Sequence, residues 1–219
     1  MNRVCVERDV TIGELYIYPC RGIPGIKVNE VCLGEYGVLH DRLFVIIDSK
    51  TLQPVTSSGS PEVTSLSQKI EQNNLVVSSK HLKGHVKIPM DEINSERMTE
   101  CARNYRGYKC DDSISAWLSD ALEREVFMIR AADDRLTALY MGKKILEVLE
   151  TDRHQSFTTD AALHLVNLAS VRDLSQRLTQ RYPHGLDNFM LDKRNWRANI
   201  YIDTDEAYEE DRFAEMRIG

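Results

Sequence analysis

The stretch Trp196-Arg197-Ala198-Asn199-Ile200-Tyr201-Ile202 decides how this chain is read. Apolar residues alternate with others along it, the period of a half-buried strand, so Trp196, Ala198, Ile200 and Ile202 are predicted to share one face. Arg197 and Asn199 then point together to the other face, about 7 Å apart by the rise of a strand. A guanidinium fork beside a side-chain amide suits an anionic, hydrogen-bond-rich ligand. An edge strand with a solvated polar face is the plainer reading of the same pattern. An acidic run comes next at Glu209-Glu210-Asp211, and the sequence then reaches Arg217-Ile218-Gly219.

Composition narrows the classes of function. With 219 residues, the chain has room for one or two domains and a buried core. Its net charge is -6 and no basic run exceeds two residues, which argues against a nucleic-acid or acidic-membrane partner, so any anion site has to be local. The five cysteines (Cys5, Cys20, Cys32, Cys101, Cys110) are widely spaced and form no C-x-x-C pair, which argues against a zinc ribbon. Nor do His40, His81, His85, His154, His164 and His184 show metal-binding spacing; His81 and His85 lie on a strand-like pattern where they do not converge. No metal ligands are assigned. Without a membrane-length apolar run or a signal-peptide core, a reduced, cytoplasmic protein is expected.

In chain order, Glu14–Pro19 reads as a strand closed by proline, Cys20–Gly25 as a turn or loop, and Ile26–Val28 as a second strand. Arg42–Asp48 is apolar enough for a sheet buried on both faces. Short strands at Leu75–Ser78 and Val86–Ile88 complete a region with the turn density of a small β-barrel or sandwich. A helix is predicted over Ser113–Glu123, capped by Asp112 or Ser113, with Ile114, Trp117, Leu118 and Ala121 at helical spacing. Phe127–Ile129 is read as a strand, Thr137–Glu150 as a helix interrupted by Gly142, and Leu163–Val166 as a strand. Ser170 is read as the cap of an amphipathic helix over Val171–Tyr182, stopped by Pro183. A β-rich first half and a mixed second half make the fold class α+β.

Several blocks resemble one family in order along the chain. Leu15-Tyr16-Ile17-Tyr18-Pro19 is similar to the opening strand of MOSC-domain proteins, and Tyr36-Gly37-Val38-Leu39-His40-Asp41-Arg42 to their Gly-Leu-x-x-Asp-Arg signature. Cys110 to Leu118 resembles a Cys-Gly-x-x-x-x-x-Trp-Leu block, with Asp111 in place of the glycine. Ser170-x-x-x-Leu174 resembles a helix start, and Arg197-Ala198-Asn199-Ile200 the family's Arg-x-Asn pair. Asn94–Arg97 and the Trp196–Gly219 stretch favour the molybdenum cofactor sulfurase branch over the amidoxime-reductase branch.

The resemblance implies a MOSC-type β-barrel domain over 12–125 followed by a truncated MOSC domain over 126–219. It implies a ligand, the molybdenum cofactor (Mo-molybdopterin), a pterin dithiolene that holds molybdenum and ends in a phosphate. By position, Arg42 corresponds to a phosphate-binding arginine, with a surface pair to Asp41 as the alternative. Arg21 stands where the family has a lysine, while Gly22, Ile23 and Ser58 depart from the serine, cysteine and arginine of its pattern. Arg197 and Asn199 match the Arg-x-Asn pair, and Thr159 and Asp160 fall in a cofactor-contacting segment. The family's metal-binding cysteine is expected beyond Gly219. Its pyridoxal phosphate chemistry, which draws sulfur from L-cysteine through a persulfide, belongs to an N-terminal domain that nothing here resembles. Implied partners are the apoenzymes xanthine dehydrogenase and aldehyde oxidase. The alternatives are an amidoxime-reductase-like enzyme and a MOSC module that binds without catalysis.

Overall fold

The computed structural model describes residues 10–34, 37–101, 105–131, 163–182, 191–213 and 215–217. Its strands are β1 (Thr11–Ile17), β2 (Cys20–Arg21), β3 (Ile26–Val28), β4 (Leu33–Gly34), β5 (Gly37–Val38), β6 (Phe44–Asp48), β7 (Leu66–Glu71) and β8 (Asn74–Ser79). They continue with β9 (His85–Pro89), β10 (Met98–Cys101), β11 (Tyr105–Lys109), β12 (Val126–Ala131), β13 (Leu165–Asn167) and β14 (Ile200–Asp203). Among the described residues, helices α1 (Asp112–Leu122) and α2 (Leu168–Arg181) complete an α+β architecture, the class expected. The chain divides into two compact units, a larger one of residues 17–26 and 30–162 and a smaller one of 1–16, 27–29 and 163–219. No helix among the described residues is long and apolar enough to cross a membrane.

In the larger unit the apolar run before Asp48 becomes β6, buried at every position. A strand apolar on both faces has to be covered on both and paired along both edges. It is: the sheet order is β10-β11-β12-β6-β2, with β12 antiparallel and β2 parallel to β6. Phe44, Val45, Ile46 and Ile47 are fully buried, in one core with Leu118 and Leu122 of α1 and Met128 and Ile129 of β12. Helix α1 begins at Asp112 rather than Ser113. Its cap residue Asp111 makes no side-chain cap bond, and Arg97 instead reaches the carboxylates of Asp111 (3.2 Å) and Asp112 (2.5 Å).

The two short strands predicted between residues 75 and 88 are β8 and β9, and β7 precedes them in a three-stranded antiparallel sheet. Strand β7 is not evident from the sequence because its turn, Gln72-Asn73, is not a common hairpin pair. Both residues nonetheless take positive φ (46° and 62°) between paired Glu71 and Asn74, which is the geometry of a two-residue hairpin. Strands β10 and β11 are likewise absent from the sequence expectation, and the expected helix at Thr137–Glu150 lies outside the described residues.

Asp48 closes β6 and pins the turn after it. Its Oδ1 accepts from the N–H groups of Lys50 (3.0 Å) and Thr51 (2.6 Å), and its Oδ2 from Arg124 Nε (2.5 Å). Arg124 then donates to Ser60 Oγ at 2.7 Å. The Thr51 N–H first, and Arg124 after it, hold the Asp48 carboxyl down at about 2 against the opposing pull of burial.

The smaller unit has the sheet order β13-β14-β1-β3, with β14 parallel to β13 and antiparallel to β1. Helix α2 starts at Leu168, three residues before the expected position, because Asn167 rather than Ser170 is its cap and accepts from Ala169 N–H at 3.0 Å. Ser170 is buried and employed elsewhere. Its hydroxyl donates to Glu210 Oε1 (2.6 Å) and accepts from Tyr208 N–H (2.8 Å). Asn167, fully buried, donates its amide to Thr204 Oγ1 (2.7 Å), the Glu206 carbonyl (3.2 Å) and Glu210 Oε2 (2.7 Å). The acidic run after β14 is thus fastened to the start of α2.

Two outcomes are expected in urea denaturation. Asn167→Ala strips a carboxylate and a carbonyl of their buried donor and removes a helix cap, so it costs about 2–4 kcal/mol. Asp48→Asn removes charge-assisted bonds worth about 1.5–3 kcal/mol. The native carboxyl of Asp48 lies below its unfolded value, so its stabilisation is complete above about pH 4 and disappears as pH falls toward 2. The wild-type advantage over the Asn variant should shrink in that window and stay constant at neutral pH.

Candidate functional site

Arg21 and Arg42 stand on neighbouring segments of the larger unit. Cys20 pairs with Phe44 and Arg21 with Val45 in the parallel β2–β6 ladder. The same alignment runs back through Phe44 N–H to the Pro19 carbonyl (2.9 Å) and Arg42 N–H to the Tyr18 carbonyl (2.8 Å). Arg21 therefore lies three residues along the pair from Arg42, about 10 Å by the rise of a strand. After Arg21 the chain turns at Gly22, with φ at +94°, where an added Cβ would come within 2.9 Å of the Val55 carbonyl.

The conformation of Arg42 is built rather than incidental. The turn into β6 carries positive φ at His40 (66°) and at Arg42 (48°), a region that side chains enter only when the surroundings enforce it. The enforcing group is Asp41, which is 3% exposed. Its Oδ1 accepts from Tyr18 N–H at 2.7 Å and its Oδ2 accepts from Arg42 Nη1. The guanidinium carbon of Arg42 lies 4.6 Å from the centroid of the Tyr18 ring, within cation–π range. Gly25 also approaches this ring so closely that a Cβ there would fall 2.4 Å from it. The Arg42 side chain is only 13% exposed. The pairing with Asp41 weighed from the sequence is present, but the arginine is part-buried rather than on an open surface. Tyr18 was not singled out by the sequence reading, and Asp41 was named there only as a surface partner of Arg42. The aromatic strand and the Asp-Arg dipeptide were the available signals.

Arg197 and Asn199 belong to the smaller unit, and the predicted strand around them is shorter than expected. Lys193–Trp196 is a 3-10 turn, Arg197 takes a left-handed φ of 54°, and the strand begins at Ile200. The two side chains are therefore not neighbours on one strand face. Ala198 through Ile202 are all buried, so apolar alternation here marks a strand covered on both sides. Asn199 is 1% exposed and acts as a joint. Its Nδ2 donates to the Tyr16 carbonyl (3.3 Å) and its Oδ1 accepts from His164 N–H (3.2 Å). The Nη2 of Arg197 is also buried. Nearby, Glu14 receives Lys193 (2.7 Å), Lys27 (3.0 Å) and the Tyr16 hydroxyl (3.1 Å). These bonds, that of Lys193 foremost, hold its carboxyl at about 2.

Thr159 and Asp160 lie outside the described residues. Ser58 Oγ is 3.1 Å from Thr56 Oγ1, within its own loop. The described cysteines are all free thiols. Burial raises Cys101 and pushes Cys110 up to about 12, Cys20 is fully buried, and Cys32 is exposed. No group of three or more His, Cys, Asp or Glu side chains suited to a metal ion occurs among the described residues. Among the described residues the arrangement thus offers cations and no thiolate cluster.

The packing of Tyr18 against Gly25 can be tested directly. Gly25→Ala should displace the ring, destabilise the fold by about 1–3 kcal/mol in chemical denaturation and alter the near-ultraviolet circular dichroism of the tyrosines.

The chain is 24% identical to the molybdenum cofactor sulfurase of Oryza sativa subsp. japonica, over 96% of its own length and 26% of that protein's. It is 26% identical to the Homo sapiens molybdenum cofactor sulfurase, over 95% of its length and 24% of the relative's. With mitochondrial amidoxime reducing component 2 of Macaca fascicularis the identity is 24%, over 95% of this chain and 61% of that one. The chain thus spans about a quarter of the length of the sulfurases it matches. Residues 9–125, more than half of the sequence, match the MOSC N-terminal beta barrel domain, and this chain belongs to that family.

Proposed function

We propose that this chain is the cofactor-holding part of a molybdenum cofactor sulfurase, active in the cytoplasm. The observation that carries the reading is the pair Arg21, on β2 beside β6, and Arg42, in the turn that leads into β6, with Arg42 fixed in a part-desolvated position by Asp41 and Tyr18. Such cations suit the phosphate end of Mo-molybdopterin, where a guanidinium offers parallel donors and low local dielectric strengthens each bond. Arg197 and Asn199, in the smaller unit, and Thr159 and Asp160 are candidate cofactor residues on the motif resemblance alone. Asn199 acts by positioning, since its amide already ties β1 to the residue before β13.

In this reading residues 12–125 form the barrel domain and 126–219 the first part of the MOSC domain. The described residues fit the anionic end of the cofactor but supply no thiolate set for its metal. When bound, the cofactor supplies the metal centre that receives sulfur drawn from L-cysteine by pyridoxal phosphate chemistry elsewhere in the parent enzyme. This chain's residues bind and orient. Loaded cofactor then serves xanthine dehydrogenase and aldehyde oxidase. A second reading, an amidoxime-reducing type of MOSC protein, is favoured by the larger share of that relative covered, 61%.

The test is binding of isolated molybdenum cofactor, and of its metal-free pterin form, by titration fluorescence. Arg21→Ala, Arg42→Ala and Arg197→Ala should each weaken binding about ten- to a hundredfold, the loss of one charge-assisted phosphate contact. Undiminished binding in all three folded variants would overturn the assignment. Reduction of an N-hydroxylated substrate by the loaded protein, with no sulfur delivered, would favour the second reading.

A further inference from the structure

Acidic residues outnumber basic ones in this chain, 34 to 28. Yet the segment from Leu66 to Pro89 carries Lys69, Lys80, Lys83, Lys87, His81 and His85 against one acidic residue, Glu71. The strand register gathers them. Lys69 lies opposite Val76, which lies opposite Lys87, and Ser67 lies opposite Ser78, which lies opposite His85. Side chains on one rung of a pleated sheet share a face; on it Ser67, Lys69, His85 and Lys87 are exposed, and Val76, between the two lysines, is buried. The other face carries Ile70, Leu75, Val77, Val86 and Ile88 into the core.

Lys80, His81 and Lys83 extend this surface through the β8–β9 loop, and all are exposed. Lys69 pairs with Glu71 at 2.5 Å, while Lys80, Lys83 and Lys87 take part in no ion pair among the described residues. Lys87 and His85 also act on the Glu71 carboxyl, which Lys69 chiefly lowers. Their fields therefore overlap.

Like charges gathered on one face repel and do nothing for folding. Lysines on exposed edge strands guard against strand pairing, which accounts for Lys69 and Lys87 but not for Lys80 and Lys83 in the loop. The chemistry of the face selects the partner. It has no Phe, Tyr or Trp on which a base could stack and no arginine for bidentate phosphate contact. Its loop leucine, Leu82, packs against the core, which leaves no apolar wedge for a lipid surface. Flexible lysine point charges spread over a sheet and its loop suit dispersed carboxylates. We infer that the outer face of β7, β8 and β9, with the β8–β9 loop, docks an acidic, carboxylate-rich segment of a partner protein.

The probe is poly-L-glutamate, with single-stranded RNA and phosphatidylserine-containing vesicles as competing classes. The full chain should bind poly-L-glutamate at low salt, and added salt should weaken the binding. The combined substitution of Lys69, Lys80, Lys83 and Lys87 by Gln should lower affinity at least about tenfold, with the circular dichroism spectrum unchanged. The loop pair Lys80→Gln and Lys83→Gln, which touches no strand, should lose part of that affinity and keeps the test decisive should the quadruple variant misfold. Absence of poly-L-glutamate binding, equal binding by the variants, or tighter binding of RNA or vesicles would overturn the inference. The arginines of the candidate cofactor site are unchanged throughout, so the two proposals fail independently.

Discussion

Burial of β6 along its whole length is the constraint on which the larger unit depends. A five-residue strand with no exposed position has to find partners for every backbone group without help from water. It therefore sits inside a sheet, flanked by β12 on one side and β2 on the other. Taking β2 as a parallel neighbour sets Arg21 beside Val45, and the same alignment sets Arg42 beside Tyr18. The apolar demand of one strand thereby places one cation on the strand beside it and another in the turn that leads into it.

Both ends of β6 are held by a buried carboxylate. Asp41, just before it, accepts the Tyr18 N–H and holds Arg42; Asp48, at its end, accepts two turn N–H groups and holds Arg124. Each carboxylate would be costly alone in such surroundings and is stable because donors surround it. For Arg42 this has a functional side. A ligand anion would meet a guanidinium whose position is already set, so little side-chain entropy is lost on binding, but it would also compete with Asp41 for the same charge.

Charge in this protein is organised by topology rather than by runs in the sequence. The acidic run at Glu209–Asp211 looks like a solvated stretch, yet Glu209 is 6% exposed and Glu210 is bound by Asn167 and Ser170. The lysines of the β7–β9 sheet are far apart in sequence, and the register brings Lys69 and Lys87 to one rung, on either side of Val76. A rule based on contiguous basic residues passes over such a surface, because alternation in a strand places every second residue on the same side.

Local periodicity and turn chemistry were enough to read the α+β class, β6, β8, β9, α1 and α2, because these depend on contacts within a few residues or on an unmistakable apolar pattern. The ordered motifs were also enough to reach the MOSC family and to nominate Arg21, Arg42, Arg197 and Asn199. What they could not supply was the competition among long-range partners. Ser170 lost the cap of α2 to Asn167 because Glu210, far along the chain, claimed its hydroxyl. The strand at Trp196–Ile202 shrank to Ile200–Asp203 because a 3-10 turn and a left-handed Arg197 precede it, and Asn199 proved to be a joint between segments. Sequence by itself determined which residues are apolar, which are cationic and in what order they come. Only the tertiary structure decided which polar groups satisfy one another, because a buried donor takes whichever acceptor folding brings within reach.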